Sequence, residues 1–133
     1  MENFEILFYA RLSITLFMAI LFLQSGLDKV FNFKGNKGYI QSVFEKTFLS
    51  KFSSLLFLSI TVLEIATGLL ALAGSAQMFL HQVEDLALFS LLLSAVSLLS
   101  LFAGQRIAKD YGGAAGIVPY FIVAILGLYL FAF

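Results

Sequence analysis

Residues 61–75 read T-V-L-E-I-A-T-G-L-L-A-L-A-G-S, an apolar run with a single acid set inside it. Thr61, Glu64, Gly68, Ala71 and Ser75 follow a 3-4-3-4 spacing, which gathers all five on one face of a helix. Most of the remaining positions are Leu, Ile, Val and Ala. In a soluble protein the polar stripe would face water. Here it is the narrow stripe in a mainly apolar helix, so it is expected to face other helices. Lipid tails are as apolar as Leu, and spanning helices associate through small residues and interhelical hydrogen bonds.

Outward from this stretch, the apolar run extends from about Phe52 to Gly74. Three more runs cover about residues 7–27, 86–103 and 117–133. A helix needs about 20 residues to cross the hydrocarbon layer, so four spans account for most of the chain. Composition agrees: of 133 residues 61% are hydrophobic and 12% charged, against about 45–50% and 25% in an ordinary soluble domain. Eight basic residues balance eight acidic ones, which leaves no excess charge to neutralise phosphates, and no nucleic-acid partner is expected. The absence of cysteine excludes disulfide exchange and thiolate or iron–sulfur ligation.

The other runs carry stripes of the same kind: Arg11, Thr15, Ala19, Phe22 and Gly26; Ser90, Ser94, Ser97 and Gly104; Gly113, Gly116, Tyr120, Ala124 and Gly127. The expected fold is an all-α integral membrane protein, a single domain over 1–133 forming a left-handed, antiparallel four-transmembrane-helix bundle. Between the first two spans Tyr39, Ile40, Val43, Phe44, Phe48 and Phe52 recur at helical spacing opposite Gln41, Glu45, Lys46 and Ser50. This pattern predicts a short amphipathic interfacial helix over about 38–50. Glu2 and Glu5 precede the first span, which lacks a small-x-small cleavage site, so it is expected to be retained rather than removed as a signal peptide. Lys29, Lys34, Lys37, Lys46, Lys51, Arg106 and Lys109 lie in the first and third connections, against Arg11 alone on the other side. The bias predicts those connections cytoplasmic and both termini outside.

Glu64 and Arg11 are the residues most out of place, since insertion scales assign about 2.5–3.5 kcal/mol to an ionised group at the centre of a span. If Gly74 ends the second span level with Leu7, Glu64 and Arg11 differ in depth by roughly 9 Å. An Arg–Glu pair can bridge that. Such a pair either fixes helix register or anchors and protonates a polar head group. Gln24, Ser25, Asp28 and Lys29 end the first span, and Gln105, Arg106, Lys109 and Asp110 follow the third on the same side. They form either a solvated cluster of salt bridges or the polar mouth of a pocket for an amphiphile such as a quinone. His81, Glu84 and Asp85 share one-turn spacing, but one His and two carboxylates in a loop are weak evidence, and no metal is expected. Tyr9, Tyr39, Tyr111 and Tyr129 suit the membrane interface, with Tyr120 facing inward. Pro119 is expected near a helix start, where it is tolerated. Solute transport, which needs a broken helix or a lined water path, ranks last.

Arg11 followed by F-L-Q-S-G-L-D-K (22–29), then L-E-I-A-T-G-L-L-A-L-A-G (63–74) and K-D-Y-G-G-A-A-G (109–116), together resemble the DoxX family over nearly the whole chain. Asp110 stands where that family commonly has Asn, and Thr15 where it often has Gly. The resemblance implies a small four-helix protein of the bacterial cytoplasmic membrane. The family is named for a subunit associated with terminal quinol oxidase and thiosulfate:quinone oxidoreductase, and other members are linked to membrane redox-defence complexes. Carried over by position, Arg11, Lys29, Glu64 and Lys109 become ligand-site candidates and Gly26 and Gly68 structural ones, with Gln105 added from the polar cluster. No catalytic residue is indicated. None of these is a redox centre, so the chain is not expected to be an enzyme alone, and electron transfer would need a bound cofactor. The expectation is an accessory subunit of a membrane oxidoreductase complex that binds a quinone or lipid, with membrane lipids and other membrane subunits as partners. The alternative is a structural accessory that docks on a larger complex without a ligand.

Overall fold

The computed structural model describes residues 3–133, so Glu2 lies outside the described residues. The described residues are helical, with no strand among them. Helix α1 spans Asn3–Phe31, α2 Phe33–Phe44, α3 Ser53–His81, α4 Asp85–Ile107 and α5 Tyr111–Leu130, with a short 3-10 turn at Ser50–Phe52. Four of these helices, all but α2, are long and apolar enough to cross a membrane. The shortest, α5, has 20 residues, which at 1.5 Å each matches a hydrocarbon core of about 30 Å.

Helices α1, α3 and α4 run past the expected span ends, whereas α5 begins before the expected 117 and stops at Leu130; in α3 the expected stop is a packing residue. Gly74 does not end α3. A Cβ there would stand 2.6 Å from the backbone nitrogen of Ala87, so Gly74 is where α4 crosses closely and α3 continues to His81. The chain turns at Gln82, in the left-handed region at φ 55°, and Gln77 Oε1 accepts from the Leu86 nitrogen at 3.3 Å, satisfying one of the free donors at the start of α4. Pro119 is interior to α5 rather than near its start, because Asp110 begins that helix earlier by accepting from the Gly113 nitrogen at 3.1 Å.

Helix α2 occupies 33–44 instead of the expected 38–50. Asn36 Nδ2 donates to the carbonyls of Asp28 and Asn32, fastening the start of α2 to the end of α1. Thr47 stops it: its hydroxyl donates to the Phe44 carbonyl at 2.8 Å and accepts from the Leu49 nitrogen at 3.2 Å, diverting backbone groups from the helix ladder.

The bundle closes through the expected stripes. Thr61, Glu64, Gly68, Ala71 and Ser75 are all buried, as are Ser90, Ser94 and Ser97, and Thr67 and Ser97 join α3 to α4 through a 3.1 Å hydroxyl contact. In α5, Ala124 and Gly127 are buried, but Gly116 is exposed and no atom stands within 4 Å of a Cβ there. The apolar core comprises Met18, Ala19, Phe22, Ala71, Leu91, Leu98 and Ala124. Tyr120 packs against that core, whereas Tyr9, Tyr39, Tyr111 and Tyr129 are each more than half exposed.

Candidate functional site

Arg11 and Glu64 do not meet. A Cβ on Gly26 would stand 2.7 Å from Ile65 Cγ1, and one on Gly68 2.8 Å from the Leu23 nitrogen. Residue numbers therefore rise along α1 as they fall along α3, and this register sets Arg11 near residue 80. At 1.5 Å per residue that lies about 24 Å from Glu64. The expected pairing took Gly74 as the helix end; the further turns of α3 displace it.

Each charge has another partner. Arg11 is 8% exposed; its Nε donates to the Leu130 carbonyl at 2.9 Å, and its Nη1 donates to Glu84 at 3.1 and 3.2 Å. Its guanidinium also stands over the Phe131 ring, 5.4 Å from the centroid. One side chain thus ties α1 to the start of α4 and the end of α5, where the open carbonyls of a helix end favour a cation. Glu84, grouped by spacing with His81 and Asp85, is a structural ion-pair partner. The apolar Met78, Phe79 and Leu80 beyond Gly74 carried the signal that α3 runs on far enough to bring Glu84 to Arg11.

The second cluster lies at the other end of α1. Lys29 Nζ stands 3.0 Å from Glu64 Oε1 and donates to Ser25 Oγ at 3.0 Å. Gly26 and Gly68 create this contact, because two glycines let α1 and α3 approach closely and Lys29 then falls one turn from the crossing, beside Glu64. Glu64 is 1% exposed, and neither carboxylate oxygen accepts a hydrogen bond, the lysine contact being an ion pair outside hydrogen-bond geometry. Gln105 Oε1 is likewise buried without a donor. A side chain at Gly113 would strike both the Gln105 amide and the Asp110 carboxylate, so that glycine keeps the start of α5 against Gln105. Lys109 is exposed, at φ 61° in the turn between α4 and α5, and Arg106 covers the Tyr111 ring at 4.5 Å.

Lys29, Glu64, Gln105 and Lys109 thus belong to one end of the fold, where α1 and α4 finish and α3 and α5 begin, and Arg11 belongs to the other. The Lys29–Glu64 pair can donate to a carbonyl or hydroxyl through the ammonium protons not given to Ser25, and accept through the carboxylate oxygens, while Gln105 Oε1 is a separate open acceptor. Among the described residues no group of three His, Cys, Asp or Glu side chains is placed to hold a metal ion. No protein-family model, curated protein or solved structure matches the chain.

Proposed function

We propose that this chain is a DoxX-like subunit of a bacterial cytoplasmic-membrane oxidoreductase assembly that binds an amphiphile, a quinone or a lipid. Its four spans form an antiparallel bundle, with α2 lying in the interface. The observation that carries the reading is Glu64: a carboxylate 1% exposed inside an apolar helix, neutralised by Lys29 yet with both oxygens free of hydrogen bonds. A buried acceptor left open loses the hydration of its oxygens without a full return in protein contacts. A head-group hydroxyl donating to Glu64, or a head-group carbonyl accepting from Lys29, would complete the set. Arg11 then has a structural part, fastening α1, α4 and α5 at the far end.

Photoreactive quinone and lipid analogues, cross-linked in native membranes and mapped by peptide mass spectrometry, test this. Label is expected at the end of the bundle holding Glu64 and Lys29, and Glu64→Gln is expected to lower its yield without lowering the yield of folded protein. Label spread evenly over the lipid-facing helices, or unchanged in Glu64→Gln, contradicts the reading.

The closed seam favours a second reading. Gly26, Gly68, Gly74 and Gly127 each meet a neighbouring helix where a Cβ would stand 2.6–2.8 Å from its atoms, so the bundle is tightly packed at those crossings, while Phe31, Phe48, Phe79, Phe89 and Phe133 face outward. That is the form of a structural accessory docked through its apolar surface. A stoichiometric partner that co-purifies undiminished with Arg11→Ala and Glu64→Ala, with no bound amphiphile, would favour it.

A further inference from the structure

At the end of the fold that holds Glu64, the chain builds an apolar groove and a polar cavity side by side. The groove, about 260 Å³, is lined by Phe44, Leu49, Leu56, Ile60, Leu63 and Gly104, with Ser59 and Ser100. The cavity, about 300 Å³, lies where residues 42–47 face residues 107–109, and its lining includes Lys46, Lys109 and Glu45. Phe44 lines the groove and is buried against Gly104, where a Cβ would make ordinary contact with its ring at 3.6 Å, and its chain neighbours Val43 and Glu45 line the cavity. Neither Lys46 nor Lys109 forms an ion pair among the described residues, the two salt bridges there being Arg11–Glu84 and Lys29–Glu64. This end carries Lys29, Lys34, Lys37, Lys46, Lys51, Arg106 and Lys109 against Asp28, Glu45, Glu64 and Asp110. The charge bias of short loops predicts that this end faces the cytoplasmic leaflet, whose surface is negative.

We infer that this groove and cavity form a binding site for an anionic phospholipid, with an acyl chain along Leu56, Ile60 and Leu63 and the phosphate between Lys46 and Lys109. The inference rests on the amphiphile-binding reading for its ligand class and adds a second place to it, since neither Lys29 nor Glu64 lines the groove or the cavity. Lys109 suits the part: in the left-handed turn between α4 and α5 its backbone is fixed while its side chain is exposed. Glu45 lines the same cavity and opposes an anion, which sets the affinity below that of two lysines alone and gives the site a signed test.

The test uses the full chain in nanodiscs of equimolar phosphatidylglycerol and phosphatidylcholine, released and weighed by native mass spectrometry. The wild type is expected to retain phosphatidylglycerol in preference. Lys46→Gln with Lys109→Asn, the Asn chosen because it tolerates the left-handed backbone, is expected to cut that preference by about fivefold per lysine. Glu45→Gln is expected to raise it, and Ser59→Leu, which fills the exposed groove, to lower retention of both lipids. An unchanged preference in the double-lysine variant overturns the inference. A wild type that holds a quinone or lipid without regard to charge overturns it while leaving the amphiphile reading standing. A wild type that retains nothing overturns both.

Discussion

Lys29 and Glu64 are unequal partners, and the inequality follows from where each can go. The Lys29 side chain is 17% exposed and ends α1, whereas Glu64 is 1% exposed and lies well inside α3. Without Glu64 the lysine stem can extend and carry its ammonium to the interface. Without Lys29 the carboxylate has no such route. Lys29→Met is therefore expected to destabilise the protein by about 3–5 kcal/mol, visible as a lower melting temperature in detergent. Glu64→Gln is expected to lose much less, and Lys29→Met combined with Glu64→Leu to regain most of the stability. Equal losses from the two single substitutions would contradict this asymmetry. That Glu64 needs a partner was legible in the sequence, because an acid inside a span demands one. Which partner was not, because the choice between Arg11 and Lys29 depends on helix register, and register depends on whether Gly74 ends a helix or packs one.

At the scale of the elements the glycines divide into two kinds. Gly68 and Gly74 lie where a Cβ would stand 2.8 and 2.6 Å from a backbone nitrogen of the next helix, while Gly112 and Gly116 meet nothing within 4 Å. Backbone cannot move aside as a side-chain tip can, so Gly68→Ala and Gly74→Ala are each expected to cost about 1–3 kcal/mol through overpacking. Gly116→Ala is expected to be neutral or to stabilise α5 by up to about 1 kcal/mol, Ala being the better helix former. Thermal unfolding of the three variants in one detergent checks this; a Gly116→Ala loss as large as that of Gly74→Ala would contradict the packing. Helical spacing alone finds Gly68 and misjudges Gly116, because small residues at helical spacing do not all face inward. The hydroxyl of Thr47, which ends α2, was equally hidden, because its competition with the helix ladder is a matter of side-chain rotamer rather than of periodicity.

Over the whole molecule, charge is sorted by end. Seven of the eight basic residues lie at the Lys29 end, and Arg11, Glu84 and Asp85 lie at the other. This was fully legible, since the connections between long apolar runs can be read by eye. The charge bias predicts the Lys29 end in the cytoplasm. The chain has no cysteine, so single-cysteine variants report position without background: Lys34→Cys should react with a membrane-impermeant maleimide only after the membrane is opened, and Val83→Cys in intact cells. The reverse pattern would put the basic end outside and remove the cytoplasmic leaflet as the source of an anionic ligand.

The most direct test of the central claim, that Glu64 and Lys29 anchor an amphiphile, is native mass spectrometry of the gently extracted protein and of Glu64→Gln, with identification of whatever travels with each. A quinone or defined lipid is expected on the wild type and is expected to be lost from the folded variant. A wild-type chain that carries no such molecule and travels only with protein subunits, or a Glu64→Gln variant that keeps its ligand in full, would contradict it.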